Sequence, residues 1–511
     1  MSDTPPRRPK GAPKRSPSSK KGPAHSKGFK TRNRDNFHRS QPPRGADKNM
    51  GDKKGGPRDF NERDAEFAAS KLPPPTLTRL YAARAVQLVL RDNITLEAAF
   101  EAQTGYNDLD ARDRAFARLI AATTFRRWGQ IAAVLKPLLS SKPPVFVMAV
   151  LETAIAQILF LDTGPHAAVS EAVNVLKSTH ATRGFAGLTN AVLRRAAEGG
   201  KNKAAAVAPS GNFPRWLTNS WEKAYGRVAT RKTALQLIKN PPLDLTVKSD
   251  AAGWAKKLGG KALPTGTVRL DQIGNVTALE GFEDGEWWAQ DIAASLPVKV
   301  LAEGTELEGK RVLDMCAAPG GKTLQLAALG AKVTALDISE ARLVRVHENL
   351  TRTKLSAEVI AQDARNFQRP KDEGGESTPQ YDAVLLDAPC SATGTFRRHP
   401  DVLFNKKHTD IGKLASLQDK LLKAAAAHVA PGGQLIFCTC SLQPEEGEAR
   451  IVQFLKNRTD FRLNPLLEDS SLHELGVVTS EGNVRSLPHY LGSEGGMDGF
   501  FIARLIREIP A

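Results

Sequence analysis

From Gly309 onward the chain alternates strand-like apolar runs with helix-length segments, and this alternation limits the fold more than any other feature. The runs Arg311–Met315, Lys332–Ile338, Tyr381–Leu386 and Gln434–Thr439 are short and apolar. Between the last two, Ile411, Leu414, Leu417, Leu421 and Ala425 mark one face of a helix. Such a pattern specifies an α/β fold with a parallel, doubly wound sheet. In these sheets a ligand lies outside the C-terminal strand ends. Acids and thiols stand at those ends: Asp337, Asp363, Asp387, Cys390 and Cys440.

The first run opens into Cys316-Ala317-Ala318-Pro319-Gly320-Gly321-Lys322-Thr323. Small residues let the backbone approach a ligand closely, and the N-terminus of a following helix favours a carboxylate or phosphate. A Walker phosphate loop needs glycine where Cys316 stands, so that pattern fails. Asp337 lies 17 residues beyond Gly320. At the end of the second strand its carboxylate can accept from both ribose hydroxyls of a nucleotide-like cofactor. Asp363 ends the expected third strand and can face an adenine amino group. Singly, each acid is better read as a helix cap or loop residue. Recurrence at three successive strand ends makes the set a candidate site.

Four cysteines occur, Cys316, Cys390, Cys438 and Cys440, with no Cys-x-x-Cys pair. That usage fits a reducing compartment without disulfides. It also lacks zinc-ligand spacing, so no metal is expected. Cys316 and Cys438 read as small apolar core residues. Cys390 and Cys440 each follow an apolar run with a helix-length segment between them, which brings both thiols to one sheet edge if the strands are neighbours.

The remaining chain divides by composition. Residues 1–72 are poor in apolar side chains, and a segment of that kind stays disordered. The first 60 residues hold 17 Lys/Arg against 5 Asp, so +12 of the net +17 lies there. This tail reads equally as a loose RNA tether or a solubilising segment. Residues 73–200 carry helical spacing, as in Leu80, Ala83, Val86 and Leu90, and read as a domain of five to seven helices. Residues 201–300 read as linker helices and a small α+β domain. There Trp216, Trp221 and Tyr225 are better core anchors than base-stacking residues. Residues 301–511 form the α/β domain. No signal peptide is expected from the residues ahead of these units, and the most apolar stretch, Val145–Leu161, holds Glu152 and Gln157 and is short for a membrane span. A cytoplasmic monomer with no membrane contact is the expectation.

Several runs together resemble the RsmB/NOP2/Sun family of RNA cytosine-C5 methyltransferases, and its RsmB branch most. They are Asp314 to Thr323, Leu386 to Ser391, Gly394 to Asp401, Thr439 to Leu442 with Pro444-Glu445-Glu446, and Met497 to Ala503, with Gln290-Asp291 upstream. His166 to Val169 and Gly187 to Arg195 are similar to a NusB-like RNA-binding domain. The resemblance implies a Rossmann-like, S-adenosylmethionine-dependent methyltransferase domain behind an all-helical NusB-like head, acting on RNA, 16S rRNA by its domain order. It implies that Cys440 adds to cytosine C6 while Cys390 assists product release. Cys316 to Lys322, Asp337, Asp363 and Asp387 would form the cofactor site, Asp387 also reaching the base. Arg397, Arg398 and His399 would hold RNA phosphates or order the loop. Gly447 departs from the family's usual asparagine, and Leu403-Phe404 displaces its usual aromatic position.

Three rivals remain open. A tRNA methyltransferase of the same family would be expected to lack the helical head. A non-catalytic assembly factor would tolerate loss of a thiol or of Asp337. A DNA methyltransferase would use Cys390 for attack.

Overall fold

The computed structural model describes residues 72–271, 275–369 and 380–510. The expected disordered tail lies outside them but for Leu72.

Seven helices build the N-terminal part, from Pro74–Asp92 to Ala186–Ala205. Two start on side-chain caps: Thr95 accepts from the Ala98 amide at 3.2 Å and Asp110 from the Asp113 amide at 2.7 Å. Helix Val145–Phe160 is buried along most of its length at the centre of this core. Within it, burial pushes the Glu152 carboxyl up to about 8. No described helix is long and apolar enough to cross a membrane.

Helix Arg215–Leu237 follows, kinked at Gly226, whose φ is 80°. Trp221 is 1% exposed and packs on Phe213, so it serves as a core anchor. The small sheet comes next, with β1 (Leu243–Val247), β2 (Lys261–Ala262), β3 (Thr267–Leu270) and β4 (Trp287–Ala289) in antiparallel order β2-β3-β1-β4. Helix Ile292–Ala302 belongs to the apolar cluster of the large sheet, across the expected division at residue 300.

The large sheet holds β5 (Arg311–Met315), β6 (Lys332–Asp337), β7 (Glu358–Ala361), β8 (Tyr381–Asp387), β9 (Val429–Thr439), β10 (Phe461–Leu463), β11 (Val484–Ser486) and β12 (Phe500–Arg507). Its order is β10-β12-β9-β8-β5-β6-β7, with β11 paired to β12. The expected parallel, doubly wound sheet is formed by β5 to β9, and β10, β11 and β12 extend it in antiparallel pairing. Alternate residues fill two cores. Ala383 and Leu385 of β8 face one cluster, Val384 and Leu386 the other. Burial on both faces explains why these strands read as unbroken apolar runs. The chain order reverses between β5 and β8, and in such sheets a ligand sits outside the C-terminal strand ends at that switch point.

Candidate active site

β5 and β6 run parallel with Met315 opposite Leu336, so their ends release two loops side by side. After Met315 the chain turns through Cys316 (φ 62°) and Gly320 (φ 105°), both in the left-handed region. Ala317 and Ala318 are buried, Pro319 is exposed, and the Ala318–Pro319 peptide is cis. Helix Gly321–Ala328 then begins without a side-chain cap or an acid in its first turn. Its first amides are therefore left for an anionic group, as a cofactor carboxylate requires. Gln290 presses on this turn: a Cβ at Gly321 would lie 3.3 Å from its side-chain amide.

Asp337 sits at the end of β6, its side chain 1% exposed. Its oxygens accept from the Ala318 amide (3.2 Å) and the Ser339 amide (3.0 Å), and Arg342 lies 3.2 Å away. It thus holds the glycine loop closed, and a ribose hydroxyl would share oxygens already bonded. β7 stops at Ala361, so Asp363 lies two residues past the strand instead of at its end as expected. The Arg365 side chain bonds it, with Nε 3.0 Å from both oxygens, and holds its carboxyl below the usual range.

Asp387 ends β8 and accepts from Lys322 Nζ at 2.7 Å. Burial would discharge Lys322, but Asp387 overcomes it and holds the ammonium charged. Behind them Asp314, which sequence reasoning quoted but did not assign, is fully buried and accepts from Thr323 Oγ1 at 2.6 Å. Burial pushes its carboxyl up to about 7, and its Oδ1 has no partner. For Cys316, burial followed by the nearby Asp387, Asp337 and Asp314 pushes the thiol up to about 12. Cys438 is fully buried in the sheet core, as expected.

β8 and β9 pair in parallel with Asp387 opposite Cys438. Their continuations carry Cys390 and Cys440, whose sulphurs lie 3.5 Å apart. The two thiols come together as the spacing implies. A hydrogen bond with Cys440, then burial, pushes the Cys390 thiol well above its ordinary value, so Cys390 keeps its proton. The loop after Cys440 is held from outside the sheet by Trp221 Nε1, which donates to Gln443 (2.9 Å), and by the Tyr225 hydroxyl, which donates to the Leu442 carbonyl (2.7 Å).

Arg397 and Arg398 are both tied into the loop by carboxylates, Arg397 buried and Arg398 about one third exposed. Arg397 is 1% exposed and donates to Asp291 (2.8 Å) and to the Gly495 carbonyl (2.6 Å). Arg398 donates to Asp498 at 2.9 Å. Burial would raise the Asp291 carboxyl, yet Arg397 and Arg398 hold it below the usual range. His399 stays exposed. Gly447, where the family usually has asparagine, has no room for a side chain: a Cβ would lie 2.6 Å from Arg485 and 2.9 Å from Phe501. Among the described residues no cluster of three or more His, Cys, Asp or Glu is placed to hold a metal.

Over residues 304–506 the sequence matches the family described as 16S rRNA methyltransferase RsmB/F, and over residues 76–198 the NusB family. A curated relative from Pasteurella multocida, ribosomal RNA small subunit methyltransferase B, is 36% identical over 375 residues, covering 70% of this chain and 80% of the relative. One of the same name from Pseudomonas putida is 34% identical over 460 residues, covering 84% and 98%. The crystal structure of PH0851 matches with a TM-score of 0.66 at 24% identity, over 85% of this chain and 99% of that one, a likeness of fold.

Proposed function

The chain belongs to the RsmB/F family of 16S rRNA methyltransferases, and from that premise we propose that it methylates C5 of a cytosine in 16S rRNA through a covalent bond from Cys440. Membership makes it an S-adenosylmethionine-dependent rRNA methyltransferase. The carbon attacked, the nucleophile and the named site residues are the proposal, as are a monomeric state and a cytoplasmic location.

Cytosine C5 is a poor nucleophile. When the Cys440 sulphur adds to C6, the C5–C6 double bond is spent and the thiol proton passes to ring N3, so C5 gains enamine character and can attack an electrophilic carbon. S-adenosylmethionine, when bound, supplies that carbon as a methyl group on a sulfonium. Residues 316–322, Asp337 and Asp363 would hold the cofactor at the C-terminal strand ends. Asp387, partly exposed beside charged Lys322, accepts a hydrogen bond from the base and steadies its cationic adduct. After transfer the C5 proton leaves to a base, its electron pair restores the C5–C6 double bond, and the C6–S bond breaks with its pair returning to sulphur. Cys390, still protonated, hydrogen-bonds the departing Cys440 sulphur.

One observation carries this reading: two thiols 3.5 Å apart at neighbouring parallel strand ends, next to a Lys–Asp pair. It also disfavours a non-catalytic assembly factor, which has no use for that pair. The test uses labelled S-adenosylmethionine and 16S rRNA. Cys390→Ala is expected to accumulate a protein–RNA adduct that survives denaturation, and Cys440→Ala to form none. The opposite pattern reassigns the nucleophile to Cys390. Absence of label in any RNA leaves the assembly factor ahead.

A further inference from the structure

Each thiol is followed by a serine, and both serines turn to one carboxylate. Glu446 is fully buried on the turn Pro444–Glu446, just beyond the Cys440 loop. It accepts from the Ser391 amide at 2.9 Å, from the Ser391 hydroxyl, and from the Ser441 hydroxyl at 2.6 Å. Gln418 Nε2 adds a fourth donor at 3.3 Å and also donates to the Pro389 carbonyl at 3.0 Å. Four donors on two oxygens match the acceptor capacity of a carboxylate. An amide in its place offers one oxygen and brings two hydrogens that must themselves be satisfied.

We propose that Glu446 is a positioning residue that sets the spacing of the two catalytic sulphurs by tying Ser391 and Ser441 to one point. The inference deepens the proposed function and rests on it. Neighbouring bonds set the same frame: Gly394 N donates to the Cys440 carbonyl at 2.9 Å, and Leu442 N to Thr393 Oγ1 at 3.0 Å. The Ser391 and Ser441 hydroxyls also lie 3.1 Å apart, a contact that the shared carboxylate orients by accepting from both. Glu446 touches neither sulphur, so it acts through the serines. Its negative charge also helps keep the Cys390 thiol protonated.

The experiment compares full-length wild type with Glu446→Gln, Glu446→Asp, Ser391→Ala and Ser441→Ala. The first readout needs no RNA: the rate at which the Cys390 and Cys440 thiols are joined by diamide, followed by mass spectrometry of the linked peptides. The second is the split between kcat and KM for methyl transfer to 16S rRNA. Glu446→Gln is expected to slow joining at least fivefold and to lower kcat at least tenfold, with KM within twofold. Each serine variant should show a smaller loss of the same kind. Should Glu446→Gln not fold, the serine variants decide. Wild-type joining rates and kcat in Glu446→Gln, or in both serine variants, overturn the proposal. If joining slows while no variant, wild type included, methylates RNA, the geometry stands and the proposed reaction fails.

Discussion

At the scale of single residues, the site is built from groups held away from their ordinary ionisation. Asp314 is the clearest case, because its carboxyl is buried, pushed up to about 7, and leaves one oxygen unpartnered. The unfolded chain releases that proton near 4, so between about pH 4 and 7 the native state binds more protons than the unfolded one. Stability from this group is therefore full below about pH 4 and declines as pH rises to about 7. The decline is on the order of 4 kcal/mol at its upper bound. Asp314→Asn keeps an acceptor for Thr323 and cannot ionise. Urea unfolding of both proteins at pH 5 and pH 8 is expected to show a smaller loss for the variant. An equal loss in both would mean that Asp314 is not the titrating group. Asp314 stands in a quoted motif run yet received no role, because a strand residue inside an apolar run gives no sign of which face it meets. Glu446 was likewise visible only as part of a Pro-Glu-Glu run. The serine after each thiol was its available signal, and pairing needed the strands to be set side by side.

Elements were legible where a chemical marker closed them. β5, β6 and β8 were read nearly to their ends because a glycine loop or an aspartate stops each one. β9 begins earlier than expected, at Val429, since Pro431-Gly432-Gly433 reads locally as a turn yet lies within the strand opposite a register irregularity at Tyr381 and Ala383. The antiparallel edge was not legible at all. A strand buried on both faces carries no record of its own direction, and Phe500–Arg507 is such a strand. Where elements meet, backbone closeness replaces side-chain packing. Gly394 and Gly499 touch, so a Cβ on Gly394 would lie 2.0 Å from the Gly499 carbonyl oxygen. Gly394→Ala must push β12 away from the Cys440 loop. A loss of about 2 kcal/mol is expected from overpacking of this kind. Chemical denaturation measures that loss, and a parallel assay should show a drop in kcat. A variant as stable as wild type would refute the close contact.

Across the whole molecule, the helical head is fastened to the catalytic domain through the Arg397 loop. Arg126, buried at the end of helix Ala111–Arg126, donates from Nε to the Arg397 carbonyl at 3.0 Å and from Nη1 to Asn240 at 2.7 Å. Asp401 accepts from the Leu96 amide at 3.1 Å, and Phe404 packs 4.9 Å from both Phe125 and Trp128. The displaced Leu403-Phe404 aromatic is thus spent on docking the head. Arg126→Ala leaves a buried carbonyl without its donor, a change that costs about 2 kcal/mol. Calorimetry should show an earlier unfolding transition, and methylation should fall although Arg126 lies outside the thiol pair. An unchanged melting profile would show that the head is held by other contacts. The Arg397-Arg398 loop also gathers Asp291 from the segment before the large sheet and Asp498, which follows Arg398 by a hundred residues. During synthesis, then, the Cys390 loop cannot lock when its own strand emerges. It waits, with Asp291 alone to compensate its two arginines, until the segment around Asp498 has been made. The order of synthesis thus puts the thiol that comes first in the chain under the control of a carboxylate a hundred residues beyond Arg398.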